Sequence, residues 1–289
     1  MRLKRALMLA PALAVVGGLF AGGVGLAIVQ SLGLLSPLGE NQLTLSHYRS
    51  LLGDREFQRS IGLTLSLAMV ATGLSALGGL VLALSLRTLA TRYRLFNTLL
   101  QIPLAVPHLS MAVVLLNVIA PSGLLARFGH ALGLIDLPAD FPILINDEYG
   151  IGIILAYLLK EIPFVTLMLL TMLLRIGDEY EQAARTLGAA SWQRLRYVTL
   201  PLLAPAALSS SLMVFAFILG AFEVPFLLGR PYPAMLSVVA QRRYMDVDLA
   251  ARPGAIAVAV MLSLITTGLV WLYLKVAQRL AGTERPLFF

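Results

Sequence analysis

Cysteine is absent from the 289-residue sequence, so the chain forms no disulfide and has no thiolate nucleophile or cysteine-bound metal. Charge is scarce as well, because only 13% of the residues are charged, against about 25% in ordinary soluble domains. With 58% of the residues hydrophobic, the composition predicts a membrane protein with little mass outside the bilayer. The net charge of +7 comes from short basic clusters between apolar runs, which favours a topological signal over nucleic-acid binding.

Lysine is rare, and Lys4, Lys160 and Lys275 are the only examples. None of them follows a glycine, so the sequence lacks the G-x-x-x-x-G-K-[ST] loop that holds nucleotide phosphates. The sequence also contains no recognisable catalytic set and no histidine spaced with other metal ligands. We therefore expect no catalytic residue, no metal site and no cofactor on this chain.

Long apolar runs supply the architecture, since a helix needs about 20 apolar residues to cross a membrane. Pro103 and Pro107 predict a kink or break at the start of the third run. The first run exceeds the apolar region of a cleaved signal peptide, about 7 to 15 residues, so we expect a retained helix. The sequence predicts an all-α membrane protein with six spans, at 6–32, 61–86, 99–120, 150–174, 202–228 and 254–278.

Basic residues indicate the orientation of these spans. If the N-terminus is cytoplasmic, the inner segments hold 13 Lys and Arg and the outer segments hold 8, while the acids are reversed, with 4 inside and 9 outside. We therefore expect a multi-pass protein of the cell (inner) membrane with both termini in the cytoplasm. The loop 175–201 between the fourth and fifth spans then faces the cytoplasm.

This loop carries start and stop signals for two short helices. Asp178 and Glu181 have the spacing of a capping box, and Gly188 is placed to end the first helix in the left-handed conformation. Ser191 is predicted to cap a second helix, which we expect to end before Pro201. The pattern predicts a helix, a sharp glycine turn and a second helix.

One face of the first helix is predicted to be apolar and shallow. Tyr180, Ala183, Ala184 and Leu187 share a stripe at helical spacing, and the two alanines allow another backbone to approach closely. One interpretation is a connector that packs beneath its own bundle. The other is a docking element for a partner, which two capped helices with a small-residue face favour.

The loop resembles the EAA loop of permease subunits in binding-protein-dependent ABC importers. The sequence Q-A-A-x-x-x-G, nine residues and V-x-L-P is similar to the family pattern E-A-A-x-x-x-G, nine residues and I-x-L-P. Val198 replaces isoleucine, and Gln182 stands where the family usually has glutamate, with Glu181 one place earlier. The positions that match are Ala183, Ala184, Gly188, Leu200 and Pro201.

The resemblance implies a type I ABC importer permease fold, with residues 1–289 as one transmembrane domain and 175–201 as its coupling loop. It also implies three partners: a cytoplasmic ABC ATPase dimer, an extracytoplasmic substrate-binding protein and a second permease chain. Because polyamine-type relatives usually pair two different permeases, the resemblance favours a heterodimer over a homodimer. Lipid surrounds the chain, and no nucleic acid is expected. The residues implied in ATPase coupling are Glu181, Gln182, Ala183, Ala184, Leu187, Gly188, Leu200 and Pro201.

Charges within the predicted spans mark candidates for the substrate pathway: Lys160, Glu161, Glu223 and His108. A charge at mid-bilayer costs about 2.5 to 3.5 kcal/mol on insertion scales, so it normally faces a cavity or a partner. One interpretation is a buried network, with Lys160 paired to Glu223, and the other is a substrate or gate role. Because neighbouring helical positions point about 100° apart, Lys160 and Glu161 are not expected to face one groove squarely.

Prolines two residues after the acids, Pro163 and Pro225, predict broken helices, where transporters place binding sites. His108, between two prolines, is interpreted as a hydrogen-bonded packing residue rather than a metal ligand. In the outer segments, HYRSLLGDREFQRSIG has helical period, and PAMLSVVAQRRY is predicted to re-enter the membrane or lie on its surface.

The candidate substrate is predicted from the intramembrane charges and from a resemblance. Glu161 and Glu223 would suit a cation, but Lys160 would suit an anion equally well. The stretch from GAFEVPFLLG to SVVAQRRY is similar to the spermidine/putrescine branch, which ranks polyamine-like cations first and thiamine, ferric iron or phosphonate as alternatives. A passive channel would leave the 175–201 loop unexplained. An intramembrane enzyme would need a nucleophile or metal set that the spans lack.

Overall fold

The computed structural model describes residues 2–35, 41–92, 94–176 and 179–281. All regular secondary structure in these ranges is helical, and no β-strand occurs in them. Short 3₁₀ turns occur at Pro138–Asp140 and Leu249–Ala251, and a π turn occurs at Leu195–Thr199. The α-helices are α1 (Arg2–Ser31), α2 (Ser46–Gly53), α3 (Arg55–Arg92), α4 (Arg94–Ala105), α5 (His108–Ile119), α6 (Leu124–Ala131), α7 (Ile151–Ile176), α8 (Glu179–Thr186), α9 (Ser191–Arg194), α10 (Leu200–Gly220), α11 (Glu223–Leu228), α12 (Leu236–Tyr244) and α13 (Arg252–Ala281).

Six helical segments of the described residues are long and apolar enough to cross a membrane, which confirms the predicted number. Their bounds correct three predicted spans. The second begins earlier. The third begins at His108 rather than at 99 and extends through α6, and the fifth begins before Pro201 and ends at Gly220. The segments are Met8–Ser31, Arg55–Arg87, His108–Ala131, Ile151–Ile176, Ser191–Gly220 and Leu249–Val276.

The predicted break at the start of the third run is confirmed. Helix α4 ends at Ala105, and α5 begins at His108 after Pro107, which has φ −56° and ψ 147°. A proline disfavours helical backbone in the residue before it, so the chain leaves the helix at Val106. Pro103 remains within α4. Residues 106 and 107 thus separate two helices that a single regular span would have joined.

Packing divides the chain into two compact units, of which the larger is Gly62–Met235 with Thr266–Phe289. Its core is built around α7, which contacts α4, α5, α10 and α11. Tyr157 and Leu169 of α7 and Ile218 of α10 are fully buried. Helix α7 is therefore the central element of this unit, and its polar residues are held in fixed surroundings.

The smaller unit comprises Met1–Ile61 with Leu236–Ile265. Tyr48 and Ser31 share a 2.6 Å hydrogen bond between their hydroxyls, and Arg243 of α12 donates to Asp54 between α2 and α3. The predicted helical period at 47–62 is confirmed by α2 and the start of α3. Residues 236–239 at the start of α12 are buried, and whether α12 re-enters the membrane stays a prediction.

Candidate functional site

The turn after α8 is the one that the sequence predicts. Gly188 has φ +80°, the left-handed conformation. Its N–H donates to the carbonyl of Arg185 at 3.0 Å, and the N–H of Ala189 donates to the carbonyl of Ala184 at 3.0 Å. This pair of bonds is a Schellman motif, which ends a helix abruptly and favours glycine at the left-handed position. The direction of α9 relative to α8 is therefore set by backbone hydrogen bonds.

Helix α9 departs from the prediction in two ways. Ser191 is its first residue rather than its cap, because the side chain of Gln193 accepts a 2.8 Å hydrogen bond from the N–H of Ala190. The helix also does not end before Pro201. Instead it continues through the π turn into α10, with the N–H of Leu200 donating to the carbonyl of Leu195. The wider turn accommodates a proline that cannot donate and whose ring crowds the carbonyls behind it.

Large apolar side chains are exposed along this loop. Tyr180 and Leu187 of the predicted stripe are 58% and 87% exposed, and Trp192 and Tyr197 of the next segment are 67% and 73% exposed. A cluster of exposed apolar side chains is typical of a protein or membrane contact. Sequence reasoning missed Trp192 and Tyr197, although aromatic residues in an otherwise polar stretch were the available signal.

The other residues implied in coupling differ in exposure. Gln182 and Ala183 are exposed, as is Pro201, whereas Ala184 and Leu200 are half-buried. In the sequence, two of the exposed apolar residues precede Gly188, namely Tyr180 and Leu187, and two follow it, namely Trp192 and Tyr197. A partner that contacts this loop therefore meets exposed apolar side chains on both sides of a hydrogen-bonded turn.

Glu181 is engaged within the chain. Its Oε1 accepts a 2.8 Å hydrogen bond from Nη1 of Arg87 and another of 2.8 Å from Oγ1 of Thr199. Burial alone would raise the pKa of Glu181, but the hydrogen bonds from Thr199 and Arg87, together with the charges of Arg87 and Arg194, lower the pKa. Asp178, the other half of the predicted capping box, lies outside the described residues.

The adjacent charges of α7 are both buried. The ammonium of Lys160 donates to the carbonyl of Val106 at the break between α4 and α5. Oε1 of Glu161 lies 3.3 Å from Nε2 of His108, the first residue of α5. One interpretation pairs Lys160 with Glu223, but no ion pair between them occurs among the described residues, and the bond of Lys160 is to a backbone oxygen. Two neighbouring charges thus join α7 to both sides of the break.

A cavity of about 260 Å³ lies beside these contacts. Lys160 and Glu161 both line it, and whether either side chain faces the cavity squarely stays a prediction. The ring of His108 lies 4.5 Å from that of Phe217, which fits the predicted packing role. The lining residues are Leu104, His108, Lys160, Glu161, Phe164, Met213, Val214 and Phe217.

Two further predictions about α7 and α10 need correction. Pro163 lies inside the continuous helix α7 and breaks nothing. Glu223 does not lie in the fifth span, because α10 ends at Gly220 and Glu223 begins the separate helix α11. The break predicted one turn before Pro225 is thus confirmed at residues 221–222, and Glu223 is not among the residues that line the cavity.

The family model for the "Binding-protein-dependent transport system inner membrane component" matches residues 75–282, which include the fourth and fifth spans and the loop between them. The chain belongs to this family. The match begins within α3, so the assignment rests on the larger unit above all.

Among proteins similar to this permease-family member is the sulfate transport system permease protein CysT of Escherichia coli (strain K12). It is 30% identical over 194 residues, which cover 65% of this chain and 65% of that protein. The molybdenum transport system permease protein ModB of Azotobacter vinelandii is 27% identical over 190 residues, covering 65% of this chain and 80% of that protein. The aligned part of the chain thus spans just under two thirds of the sulfate permease.

The fold of a type I ABC importer permease is confirmed by a solved structure. The crystal structure of a bacterial alginate ABC transporter, in complex with an alginate pentasaccharide-bound periplasmic protein, contains a chain that matches with a TM-score of 0.77. The two chains are 20% identical, and the match covers 98% of each. The names of these similar proteins mention sulfate, molybdenum and alginate, and none of them supports the predicted spermidine/putrescine branch.

Proposed function

We propose that this chain is the permease subunit of an ATP-driven importer, with residues 1–289 as one transmembrane domain and the 175–201 loop as its contact with a separate ATPase. The observation that carries the proposal is the exposure of four apolar side chains on the two sides of the hydrogen-bonded Gly188 turn: Tyr180, Leu187, Trp192 and Tyr197. The sequence has no loop for ATP phosphates, so the energy of hydrolysis must arrive through a contact with another protein.

In this proposal the loop lies on the cytoplasmic side, as the distribution of basic residues predicts. A second permease chain completes the pathway, an ABC ATPase dimer binds ATP and Mg²⁺, and an extracytoplasmic binding protein delivers the solute. The ATPase shifts the permease between its two access states only by the difference in its contact energy with each state. The stiff turn at Gly188 transmits that difference to α10 through α9 and the π turn.

The test is co-expression of the chain with a candidate ATPase and its binding protein. The complex is purified in detergent through a tag on the permease and placed in proteoliposomes. We expect the ATPase to co-purify at a fixed ratio, and solute uptake to require ATP on the loop side. A chain that passes solute down its gradient without any ATPase is instead a passive channel.

The cavity beside His108, Lys160 and Glu161 is proposed as part of the solute pathway. Replacing Glu161→Gln removes a negative charge that lies at the cavity and contacts His108, so KM should fall for an anionic solute and rise for a cationic one. Hydrogen bonds to charged groups contribute about 1.5 to 3 kcal/mol, so we expect KM for uptake to change about tenfold or more. Uptake kinetics in proteoliposomes, with the melting temperature in detergent, provide the measurement.

The control is Leu159→Ala, which shortens an exposed neighbour on α7 and should leave KM unchanged. A purely structural role for Glu161 gives the opposite result, with a lowered melting temperature and an unchanged KM. In that case the Glu161–His108 contact would only stabilise the packing of α7 against α5.

For the solute itself, we infer a small oxyanion as the first candidate, because two relatives are named for sulfate and molybdenum and Lys160 places a cation at the cavity. Polyamines remain in the test because Glu161 and His108 line the same cavity. A thermal-shift screen of the cognate binding protein should include sulfate, molybdate, spermidine, thiamine, ferric iron, a phosphonate and an alginate oligosaccharide. Stabilisation by spermidine alone would overturn the oxyanion inference.

A further inference from the structure

Three separate elements meet at the carboxylate of Glu181. Arg87 lies at the end of the second candidate span, Glu181 lies on α8, and Thr199 is the last residue of the π turn before α10. Both donors reach the same oxygen, Oε1, at 2.8 Å. The contacts join positions 94 and 18 residues apart in sequence, so they are tertiary contacts and not local capping bonds.

The surroundings strengthen these contacts. The side chains of Arg87 and Glu181 are 20% and 33% exposed, and Thr199 is buried. Partial exclusion of water makes a charge-assisted hydrogen bond stronger than a surface ion pair. The hydroxyl of Thr199 has Glu181 as its short acceptor at 2.8 Å, and the carbonyl of Arg194 lies at 3.5 Å. Removing the carboxylate therefore removes the acceptor that both donors share.

We propose that Glu181 is a positioning residue that clamps α8 to the second span through Arg87 and to the start of α10 through Thr199, so that displacement of the coupling loop moves both spans. The inference rests on the proposed function and gives Glu181 a different task from the exposed residues of the loop. Leu187 and Trp192 face outward, where a partner contacts them, whereas the Glu181 carboxylate is turned toward its own chain. Its partner is the permease itself.

The clamp predicts a specific defect. In Glu181→Gln the amide keeps an acceptor for one donor and loses the charge, so the loop still docks but no longer moves the two spans together. In the reconstituted complex, we expect the ATPase to co-purify within about twofold of the parent. Stimulation of ATP hydrolysis by substrate-loaded binding protein should fall about fivefold or more, as should uptake, because coupling between sites typically corresponds to 5- to 150-fold effects.

Glu179→Gln is the matched control, because it removes the same charge from the same helix at an exposed position. It should keep the stimulation of the parent. Arg87→Glu and Glu181→Arg should each lose the stimulation when made alone, and the double variant that carries both should recover part of it. Such recovery would not occur if the single variants failed only because they misfold. Uncoupled basal hydrolysis in the single variants, with complex yield unchanged, completes the expected pattern.

Each other outcome is decisive. If Glu181→Gln loses the ATPase during purification while Glu179→Gln keeps it, Glu181 contacts the ATPase and the clamp is wrong. If stimulation in Glu181→Gln equals that of the parent, or if the reversed pair recovers nothing although it folds, the clamp is also wrong. If the parent chain itself never retains an ATPase, the proposed function fails first, which separates the two failures.

Discussion

Replacing Gly79→Val is expected to abolish most of the folded permease. A Cβ at position 79 would lie 2.5 Å from Cγ1 of Val165 and 3.1 Å from the backbone nitrogen of Thr166 on α7. A β-branched neighbour and a backbone atom cannot move aside, so α3 and α7 must separate. Overpacking of this kind costs about 1 to 3 kcal/mol, occasionally more, and close helix approach in membranes depends on such small residues.

The measurement is size-exclusion yield and melting temperature in detergent, with Gly73→Val as control. Gly73 lies on the same helix, and a Cβ there meets nothing within 4 Å, so the change in helix propensity is matched. We expect at least a fivefold lower monodisperse yield for Gly79→Val than for the control. Equal yields and melting temperatures for the two variants would contradict close packing of α3 on α7.

Replacing Gly188→Val is expected to reduce ATP-driven uptake about tenfold, while the membrane-spanning helices stay folded. A tenfold loss lies within the range of about 5- to 150-fold that is typical of coupling between sites. The backbone has φ +80° there, which a β-branched residue adopts only under strain of about 1 to 3 kcal/mol. A Cβ at this position meets nothing within 4 Å, so the effect comes from the backbone and not from a clash.

Gly188→Asn is the matched variant, because asparagine tolerates the left-handed conformation. It should keep most of the uptake, measured in proteoliposomes at equal permease content. The melting temperature of both variants should stay close to that of the parent, since the turn lies outside the helical core. If valine and asparagine support the same uptake, the turn is not the joint that couples the ATPase to α10.

Local signals in the sequence predicted the loop well. The left-handed Gly188 follows from the conformational freedom of glycine at a helix end, and the six spans follow from hydrophobic length. Ser191 was misplaced by one position because Gln193 supplies the cap, which a preference for serine does not reveal. Pro201 was misread as a stop because a π turn before it is not visible in residue preferences.

Tertiary contacts were out of reach of the sequence. Nothing local indicates that Lys160 bonds to the carbonyl of Val106, 54 residues away, or that Arg87 reaches Glu181. The same holds for Pro163, since α7 tolerates its ring without a break. The presence of charged residues within the spans predicts that they have partners, but the identity of each partner depends on how the helices pack.

The most direct test of the central claim uses the absence of native cysteine, because each single-cysteine variant then carries one reactive thiol. Leu187→Cys is placed on the 87% exposed side chain of the loop, and Leu134→Cys on a 75% exposed side chain of the segment predicted to face outside. In inside-out vesicles, we predict that a membrane-impermeant maleimide labels position 187 and that a thiol cross-linker joins it to the ATPase, whereas position 134 does neither. Labelling of position 187 only from the opposite side, or cross-linking of the ATPase to position 134 instead, would contradict the account.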